Sequence, residues 1–576
     1  MCLESPIEIL QASALAEVGP ILDRVEAAAR SGRIAAGFLT YEAAPAFDPA
    51  FQVRPSTDLP LAWFAVFEHP QILGSDALDA PNPPRLRWEP SISTDRYRQI
   101  VSTIHDHIAR GDTYQVNFTL RLQADFEGDP WALFAALCRG QRSECCAFVD
   151  TGSWVLCSAS PELFFELEGD HIYSRPMKGT APRGKTADED ASQASWLQQS
   201  AKNRAENVMI VDMVRNDLGR IAAAESVRVA QLYQLERYPS VFQLTSTVEA
   251  RTTASLREIF TALFPCASIT GAPKVRATEI IAALEDRPRG IYTGAIGVIG
   301  PERRARFNVA IRTAQIHPGI GSAEYGTGGG IVWDSVADDE WHECRTKALV
   351  LQPPAPEFDL LETLRWEPEA GFLLLQRHLD RLTASADYFG FALDLAHLTE
   401  VLELEARALP PTAHRLRLQL STDGIITLEA TPITDERRPW RVAIASHPVD
   451  SENRFLYHKT THRQVYEQRR RAFPDHDDVL LWNQEGEVTE STVANVVVRK
   501  GGRLLTPPVC SGLLAGTFRA ELLERGEIRE ERVSIRELVE AEEIFLINSV
   551  RSWIDVELDA ATEVSLKPDH PSQRKK

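Results

Sequence analysis

The feature of this sequence that most constrains its fold is a proline-rich segment at residues 351–356, Leu-Gln-Pro-Pro-Ala-Pro. Proline lacks a backbone N–H and fixes φ, so three prolines among four residues cannot continue a helix and favour an extended linker. The chain has 576 residues, more than one hydrophobic core usually serves. We therefore predict two units, residues 1–352 and 357–570, joined by a linker at 353–356.

The charge balance excludes several classes of partner. The formal net charge of −20 argues against general binding to nucleic acid or to an anionic membrane. No uninterrupted apolar stretch approaches about 18 residues, and the start lacks a basic segment followed by an apolar core. The eight cysteines form no CxxC pair and are expected to be reduced. We expect a cytoplasmic protein that binds neither nucleic acid nor membrane.

Strand-like and helix-like runs are mixed in the first unit without regular βαβ alternation, which predicts an α+β fold. Residues 196–221 are expected to form one long helix, with an apolar face that includes Val208, Val211 and Val214. In the second unit, strand-like runs on either side of residues 431–434 predict a small subdomain, 357–435, and a large subdomain, 436–570.

Lys178 lies in an unusual segment of the first unit, Pro-Met-Lys-Gly-Thr at 176–180. Alone, such a lysine is best interpreted as a solvated turn residue. A second unusual segment, 264–274, is a turn of small residues that leads into a predicted helix, whose free N–H groups can bind a carboxylate. Tyr292 and Arg312 flank a predicted strand pair, and the glycines of 326–330 supply backbone donors.

Three glutamates of the first unit form a candidate metal site. Glu340 and Glu343 lie three residues apart, which places them on one face of a predicted helix. With Glu206 from an earlier helix, these carboxylates could hold a hard cation such as Mg²⁺. The pair alone would be best interpreted as a solvated helix face.

In their order along residues 90–350, these segments resemble the chorismate-utilising enzymes: anthranilate synthase, isochorismate synthase and aminodeoxychorismate synthase component I. The resemblance implies a β-sandwich with surrounding helices, and Glu206, Glu340 and Glu343 as ligands of Mg²⁺, which grips the ring carboxylate. It implies chorismate as the substrate. The residues implied to hold its two carboxylates are Thr270, Tyr292, Arg312, Gly328, Gly329 and Lys347.

The residue at position 178 separates the subfamilies. Anthranilate synthases carry alanine in this motif, whereas aminodeoxychorismate synthases carry lysine, as here. The resemblance implies that Lys178 attacks C2 of chorismate and expels the C4 hydroxyl, that ammonia enters at C4, and that Glu162 is the general acid/base. Gln243 stands where many relatives have histidine and cannot titrate. The chain has no G-x-C-x-G segment, so a separate glutamine amidotransferase subunit is expected to deliver ammonia.

The second unit contains another lysine in a polar break, Lys459, which alone would be interpreted as a surface residue. A basic turn at 377–382 before a predicted helix, an acid beside an apolar strand and a small-residue turn at 513–519 accompany it. This order resembles the fold-type IV enzymes that use pyridoxal 5′-phosphate (PLP). Carried over, Lys459 forms the Schiff base with PLP. The other implied cofactor-binding residues are Arg381, Thr517 and Phe518 at the phosphate and Glu490 at the pyridine nitrogen.

The two resemblances together predict a bifunctional enzyme that makes 4-aminobenzoate from chorismate. The first unit would form 4-amino-4-deoxychorismate, and the second would act as a lyase that eliminates pyruvate. Two alternatives stay open: a second unit that is a class IV aminotransferase, and a scaffold with inactive sites. Fold-type IV relatives are often dimers, so a homodimer is also expected.

Overall fold

The computed structural model describes residues 1–55, 59–72, 74, 78, 80, 83–352, 357–434 and 438–559. The predicted linker 353–356 and the end of the predicted second unit, 560–570, lie outside the described residues. The chain divides into two compact units: Met1–Arg183 with Gln193–Ala355, and Gly184–Ser192 with Pro356–Lys576. No described helix has the length and apolar character needed to cross a membrane.

Two antiparallel sheets form the centre of the first unit. Its strands are Glu8–Ala12 (β1), Ile34–Leu39 (β2), Ala62–Phe67 (β3), Glu89–Pro90 (β4), Gln115–Asp125 (β5), Cys145–Asp150 (β6), Val155–Ser160 (β7), Leu163–Glu168 (β8), His171–Arg175 (β9), Met177–Pro182 (β10), Arg228–Arg237 (β11), Val241–Arg251 (β12), Gly271–Ala272 (β13), Ala295–Gly300 (β14), Arg304–Val309 (β15), Thr313–His317 (β16) and Ser322–Ile331 (β17). One sheet has the order β1-β3-β2-β14-β15-β8-β9-β12-β10, with β11 also paired to β12. The other has the order β13-β5-β17-β16-β7-β6, with β4 paired to β5.

Helices cover the outer faces of this sandwich. Those between residues 1 and 352 are Leu15–Arg30 (α1), Thr94–Ala109 (α2), Pro130–Gln141 (α3), Ala187–Gln199 (α4), Ala201–Gly219 (α5), Leu256–Leu263 (α6), Lys274–Leu284 (α7) and Ala337–Lys347 (α8). Apolar residues of α1, α5 and α6 pack on the larger sheet, while α2, α7 and α8 pack on β5 and β17. Phe38, Trp63 and Leu156 pack together between the two sheets. This arrangement confirms the predicted α+β sandwich with surrounding helices.

The prediction of one long helix at 196–221 is wrong in one respect. The segment forms parts of two helices that break at Ser200, whose side chain accepts a hydrogen bond from the backbone N–H of Asn203. A serine in this position satisfies a free N–H of the second helix, so it favours a new helix start over continuation. Val211 and Val214 are buried as expected, but Val208 is exposed.

The second unit contains two further sheets. Its strands are Leu360–Glu367 (β18), Gly371–Phe372 (β19), His414–Leu420 (β20), Ile426–Pro432 (β21), Trp440–Ile444 (β22), Asp478–Trp482 (β23), Val488–Ser491 (β24), Asn495–Lys500 (β25), Arg503–Thr506 (β26), Arg529–Glu530 (β27), Glu543–Asn548 (β28) and Ser552–Leu558 (β29). Its helices after residue 357 are Leu375–Phe389 (α9), Leu395–Ala408 (α10), Gln464–Arg471 (α11), Thr517–Glu524 (α12) and Ile535–Val539 (α13). The sheets have the orders β19-β18-β20-β21 and β24-β23-β22-β29-β28-β25-β26-β27.

The two sheets have separate cores. Leucines of α9 and α10 pack on β18 and β20, whereas apolar residues of α13 pack on the mixed eight-stranded sheet. The predicted basic turn at 377–382 is wrong, because α9 begins at Leu375 and includes this segment. Its leucines Leu379 and Leu382 are buried, and burial of that helical face stabilises the earlier start.

Candidate functional site

The first unit contains a cavity of about 450 Å³ between the open edge of β10, the glycine-rich part of β17 and helices α5 and α8. The two sheets bring β10 and β17 to it from different layers. The charged residues that line this cavity are Glu162, Lys178, Lys202, Glu206, Arg312, Glu340, Glu343 and Lys347. Acidic and basic side chains therefore line the same cavity.

Glu162 is the buried acid of this cavity. Its side chain is only 3 % exposed and accepts a hydrogen bond from Ser268 Oγ at 2.5 Å. Burial raises the pKa of Glu162 to about 7, although the Ser268 hydrogen bond and the charge of Lys178 act in the opposite direction. A carboxyl group with a pKa near 7 can both give and take a proton at neutral pH.

Lys178 is aimed into the cavity by an irregularity in β10. The register of β10 against β12 shifts between Met177 and Thr180, and Gly179 between them has a φ of +97°. Bulges of this kind redirect side chains near functional sites. The Lys178 amine lies so close to β17 that a Cβ atom on Gly330 would be 2.5 Å from Nζ. Glycine at 330 therefore makes room for the amine.

One wall of the cavity is formed by two cations, Lys347 and Arg312. Lys347 Nζ donates to the carbonyl of Gly328 at 2.9 Å and pairs with Glu343 Oε1 at 2.6 Å. Burial disfavours its charged form, yet the charge of Glu343 leaves the pKa of Lys347 raised. Arg312 donates to the Lys347 carbonyl and has a φ of +51°. Two cations and nearby backbone groups make this wall suitable for a carboxylate.

The three candidate metal ligands line the same cavity, but they are spread across it. Glu340 accepts a hydrogen bond from Ser335 at 2.7 Å, and burial together with the charge of Glu343 raises its pKa. Within the described ranges, no group of three or more acidic, histidine or cysteine side chains is close enough to enclose a metal. Two neighbouring carboxylates still fit Mg²⁺, which usually takes one or two carboxylates and completes its shell with substrate and water.

The second unit gathers its candidate residues around Lys459. Burial of the amine and the charge of Arg381 lower the pKa of Lys459 to about 8. Glu490 on β24 is 5 % exposed and accepts a hydrogen bond from Tyr466 Oη at 2.7 Å. Burial raises the pKa of Glu490 to about 7. An amine whose neutral form is accessible and a buried acid thus occupy neighbouring positions.

A buried polar network holds Arg381 in place. Glu362 accepts hydrogen bonds from Arg381 Nε at 2.8 Å and Arg381 Nη2 at 2.6 Å, and its other close partner is His378 Nδ1 at 2.7 Å. His378 Nε2 lies 3.2 Å from Thr517 Oγ1 at the first turn of α12. The network therefore links Arg381 to a helix N-terminus whose N–H groups suit an anion such as phosphate.

Glu362→Gln is expected to destabilise the second unit by about 3 kcal/mol at pH 7, because it leaves the half-buried Arg381 without its charged partner. Burial alone would raise the pKa of Glu362, but Arg381 and His378 outweigh it and lower the pKa from 4.5 to about 2. The carboxylate therefore stabilises the fold fully above pH 4.5, and this contribution is lost as the pH falls towards 2.

The measurement is the apparent free energy of unfolding in urea at pH 7, 5 and 3. The difference between wild type and Glu362→Gln should be largest at pH 7 and 5 and smaller at pH 3. Glu403→Gln is the control, since the Glu403 side chain is 62 % exposed and pairs with Arg407 one turn away. If both substitutions lowered the free energy of unfolding equally, the stabilising role of the Glu362 pair with Arg381 would be contradicted.

Residues 6–353, more than half of the chain, match the family model described as chorismate binding enzyme. The chain belongs to this family. Residues 359–558 match a second family model, amino-transferase class IV. The chorismate-binding unit is thus joined to a unit of the class IV aminotransferase type, as the two sequence resemblances predict.

Individual relatives agree with this assignment. The chain is 43% identical over 251 residues to aminodeoxychorismate synthase component 1 of Salmonella typhimurium, which covers 43% of this chain and 54% of that protein. It is 37% identical over 269 residues to anthranilate synthase component 1 of Thermus thermophilus, covering 46% and 58%. The crystal structure of anthranilate synthase component I from Streptococcus pneumoniae TIGR4 matches with a TM-score of 0.53 and 25% identity, over 61% of this chain and 91% of that one. The chain spans about half the length of the curated relatives it matches.

The cavity of the chorismate-binding unit collects most of the residues predicted from sequence. Two of the predicted residues, Thr270 and Gly329, are not among the residues that line the cavity. Thr270 is fully buried and its hydroxyl donates to the Cys266 carbonyl at 3.0 Å. Gly329 lies beside the acids, since a Cβ there would be 3.0 Å from Glu340 Oε2. The residues brought together at the cavity are Glu162, Lys178, Glu206, Tyr292, Arg312, Gly328, Glu340, Glu343 and Lys347.

Some residues of these sites were not predicted from the sequence. Ser268 lies in the segment 264–274 that attracted attention, but its hydrogen bond to Glu162 depends on a fold contact across 106 residues. Glu362 pairs with Arg381 and with His378, yet Glu362 and His378 are ordinary residues of amphipathic elements when considered alone.

Phe518, which was predicted at the phosphate, is half-buried and packs with the apolar cluster beneath α12.

Proposed function

We propose that this chain converts chorismate to 4-aminobenzoate in two steps, one in each unit. The observation that carries the first step is the convergence of a lysine amine, a buried carboxyl group and a cationic wall on one cavity. Chorismate carries two carboxylates, which Arg312 and Lys347 would hold by charge and hydrogen bonding. Lys178 and Glu162 then supply a nucleophile and an acid.

In the first step, Lys178 Nζ forms a bond to C2 of chorismate while the ring double bonds shift and the C4–OH bond breaks. The departing hydroxyl takes a proton from Glu162, whose pKa of about 7 keeps part of it protonated at neutral pH. Ammonia then adds at C4, the double bonds shift back, Lys178 leaves C2, and the ammonium group formed at C4 returns a proton to Glu162. The product is 4-amino-4-deoxychorismate, and the lysine returns unchanged.

Magnesium fits beside the reacting groups of the chorismate-binding unit. Glu340 and Glu343 would hold it, and bound Mg²⁺ would supply positive charge for the ring carboxylate. Glu343 is already paired with Lys347, so Lys347 also balances the acidic charge of this region. Removal of Mg²⁺ should therefore weaken chorismate binding more than it changes the fold.

In the second step, the class IV unit would bind PLP, which when bound supplies an electron sink for the chemistry at C4. Arg381 and the first turn of α12 would hold the phosphate, and Glu490 would lie at the pyridine nitrogen. Lys459 would take the C4 proton, since a pKa of about 8 makes its neutral form accessible. Loss of pyruvate then gives the aromatic ring of 4-aminobenzoate. The support for a lyase is the fusion to a unit that would make its substrate.

Ammonia for the first step would come from a separate glutamine amidotransferase. The relatives from Salmonella typhimurium and Thermus thermophilus are both named component 1, which points to a second component for those proteins. We extend this to the present chain, because its sequence contains no segment of the nucleophile type G-x-C-x-G. Free ammonium should replace the partner less efficiently.

The coupled reaction tests the proposal. Purified protein with chorismate, Mg²⁺, PLP and ammonium is expected to form 4-aminobenzoate and pyruvate in equal amounts. Chromatography measures the 4-aminobenzoate, and a pyruvate assay measures the pyruvate. Failure to form 4-aminobenzoate even with a glutamine amidotransferase would contradict the first step. Supplied 4-amino-4-deoxychorismate separates the alternatives for the second unit: a lyase releases pyruvate without a co-substrate, whereas an aminotransferase consumes a 2-oxo acid.

A further inference from the structure

Gln115 is an unusual buried residue of the chorismate-binding unit. It is the first residue of β5, and its side chain is 0 % exposed. Neither Oε1 nor Nε2 of its carboxamide has a hydrogen-bond partner within the part of the chain that the structure describes. Buried amides without partners are rare because each unmade hydrogen bond is costly. In the conformation of this structure, the buried amide therefore makes none of the hydrogen bonds that it could make.

The position of this amide indicates a partner close to it. Gly330 on β17 is paired with Asn117 on β5, two residues after Gln115. A Cβ atom on Gly330 would lie 2.5 Å from Lys178 Nζ and 2.9 Å from Gln115 Nε2. The lysine amine and the glutamine amide thus meet over the same glycine, and Gly330 and Lys178 both line the cavity. A larger residue at 330 would displace both groups.

We propose that Gln115 is a positioning residue for the Lys178 amine. After a rotation of the Gln115 side chain, its Oε1 would accept one N–H of the amine and hold Nζ over Gly330, with the nitrogen lone pair directed into the cavity. This inference rests on the proposed function, in which Lys178 is the nucleophile, and adds a residue to it. Gln115 acts through Lys178 and makes no bond to the substrate.

The chemistry of the amide suits this role better than a carboxylate would. The cavity already contains three acidic side chains, Glu162, Glu340 and Glu343, and a further carboxylate beside an amine would favour its protonated form, which cannot attack carbon. A neutral acceptor orients the amine without adding to that effect. For this reason Gln115→Glu, which keeps an acceptor oxygen, should lower the rate as Gln115→Leu does.

The experiment compares Gln115→Leu with Gln123→Leu. Gln123 lies on the same strand, and its Nε2 donates to Glu324 at 3.3 Å, away from the cavity residues. With chorismate and ammonium, Gln115→Leu is expected to lower kcat about 100-fold with the KM for chorismate changed less than about threefold. Its melting temperature should stay the same or rise, because leucine removes an unsatisfied polar group. Gln123→Leu should keep the wild-type kcat.

A measurement without substrate makes the result independent of the proposed function. Limiting acetic anhydride labels lysines according to the reactivity of the neutral amine, and peptide mass spectrometry gives the ratio of Lys178 to Lys202 labelling. This ratio should change at least about threefold in Gln115→Leu and remain constant in Gln123→Leu.

The outcomes separate the two proposals. An unchanged labelling ratio overturns the role of Gln115, whether or not the wild type is active. Wild-type kcat with a lowered melting temperature in Gln115→Leu also overturns it, since that result shows a structural residue. A changed ratio in a protein that forms no product supports the contact of Gln115 with Lys178 and contradicts the proposed function alone.

Discussion

Lys459→Ala is expected to lower pyruvate release from 4-amino-4-deoxychorismate by at least about 10³-fold. The same substitution should remove the visible absorbance of the cofactor-loaded protein near about 410–430 nm. The reason is that Lys459 combines two properties: an amine whose pKa is lowered to about 8, and a position close enough to Arg381 and Glu490 to feel the charge of both. Arg381 cannot replace it, because a guanidinium is not deprotonated in proteins.

The full chain provides its own control for this experiment. Lys459→Ala should still convert chorismate and ammonium to 4-amino-4-deoxychorismate, which then accumulates and is measured by chromatography. Lys500→Ala is the matched lysine control in the class IV unit, since the Lys500 side chain is 48 % exposed and pairs with Glu537 on the surface. Pyruvate release by Lys459→Ala at the wild-type rate would contradict the assigned role.

The sequence predicted best those parts of the fold that depend on local properties of the chain. The turn at 264–274 leads into α7, and the turn at 513–519 leads into α12, because small residues and a free helix start are local properties. The break at Ser200 was missed because apolar spacing continues across it. A single capping hydrogen bond decides between one helix and two, and periodicity does not detect it.

The residues of the candidate sites also differ in whether the sequence alone could predict them. Lys178 and Lys459 were predicted because the segments around them resemble those of known enzyme families. Gln115 does not, because the absence of hydrogen-bond partners is a property of the folded protein. Glu362 likewise gained its importance only when β18 and α9 brought it against Arg381 and His378. Burial and pairing across distant segments are set by packing, which the pattern of single residues leaves undetermined.

Lys178→Ala is expected to lower the formation of 4-amino-4-deoxychorismate by at least about 10³-fold, or about 4 kcal/mol in the activation free energy. Alanine removes the nucleophile but leaves Glu162, Arg312 and Lys347 in place, so chorismate should still bind. Lys178→Arg is the sharper variant. It keeps the positive charge beside Glu162 and Glu343 but carries a guanidinium that does not act as a nucleophile, so it should be equally inactive.

Two further measurements decide whether the lysine acts covalently or only by charge. Mass spectrometry of wild-type protein quenched with chorismate should show an added mass on the peptide that contains Lys178, and neither variant should show it. Both variants should release pyruvate from supplied 4-amino-4-deoxychorismate at the wild-type rate, because Lys459 belongs to the other unit. If Lys178→Arg retained activity while Lys178→Ala lost it, the lysine would act through its charge, and ammonia would add to chorismate directly. Activity in both variants would place the nucleophile elsewhere in the cavity.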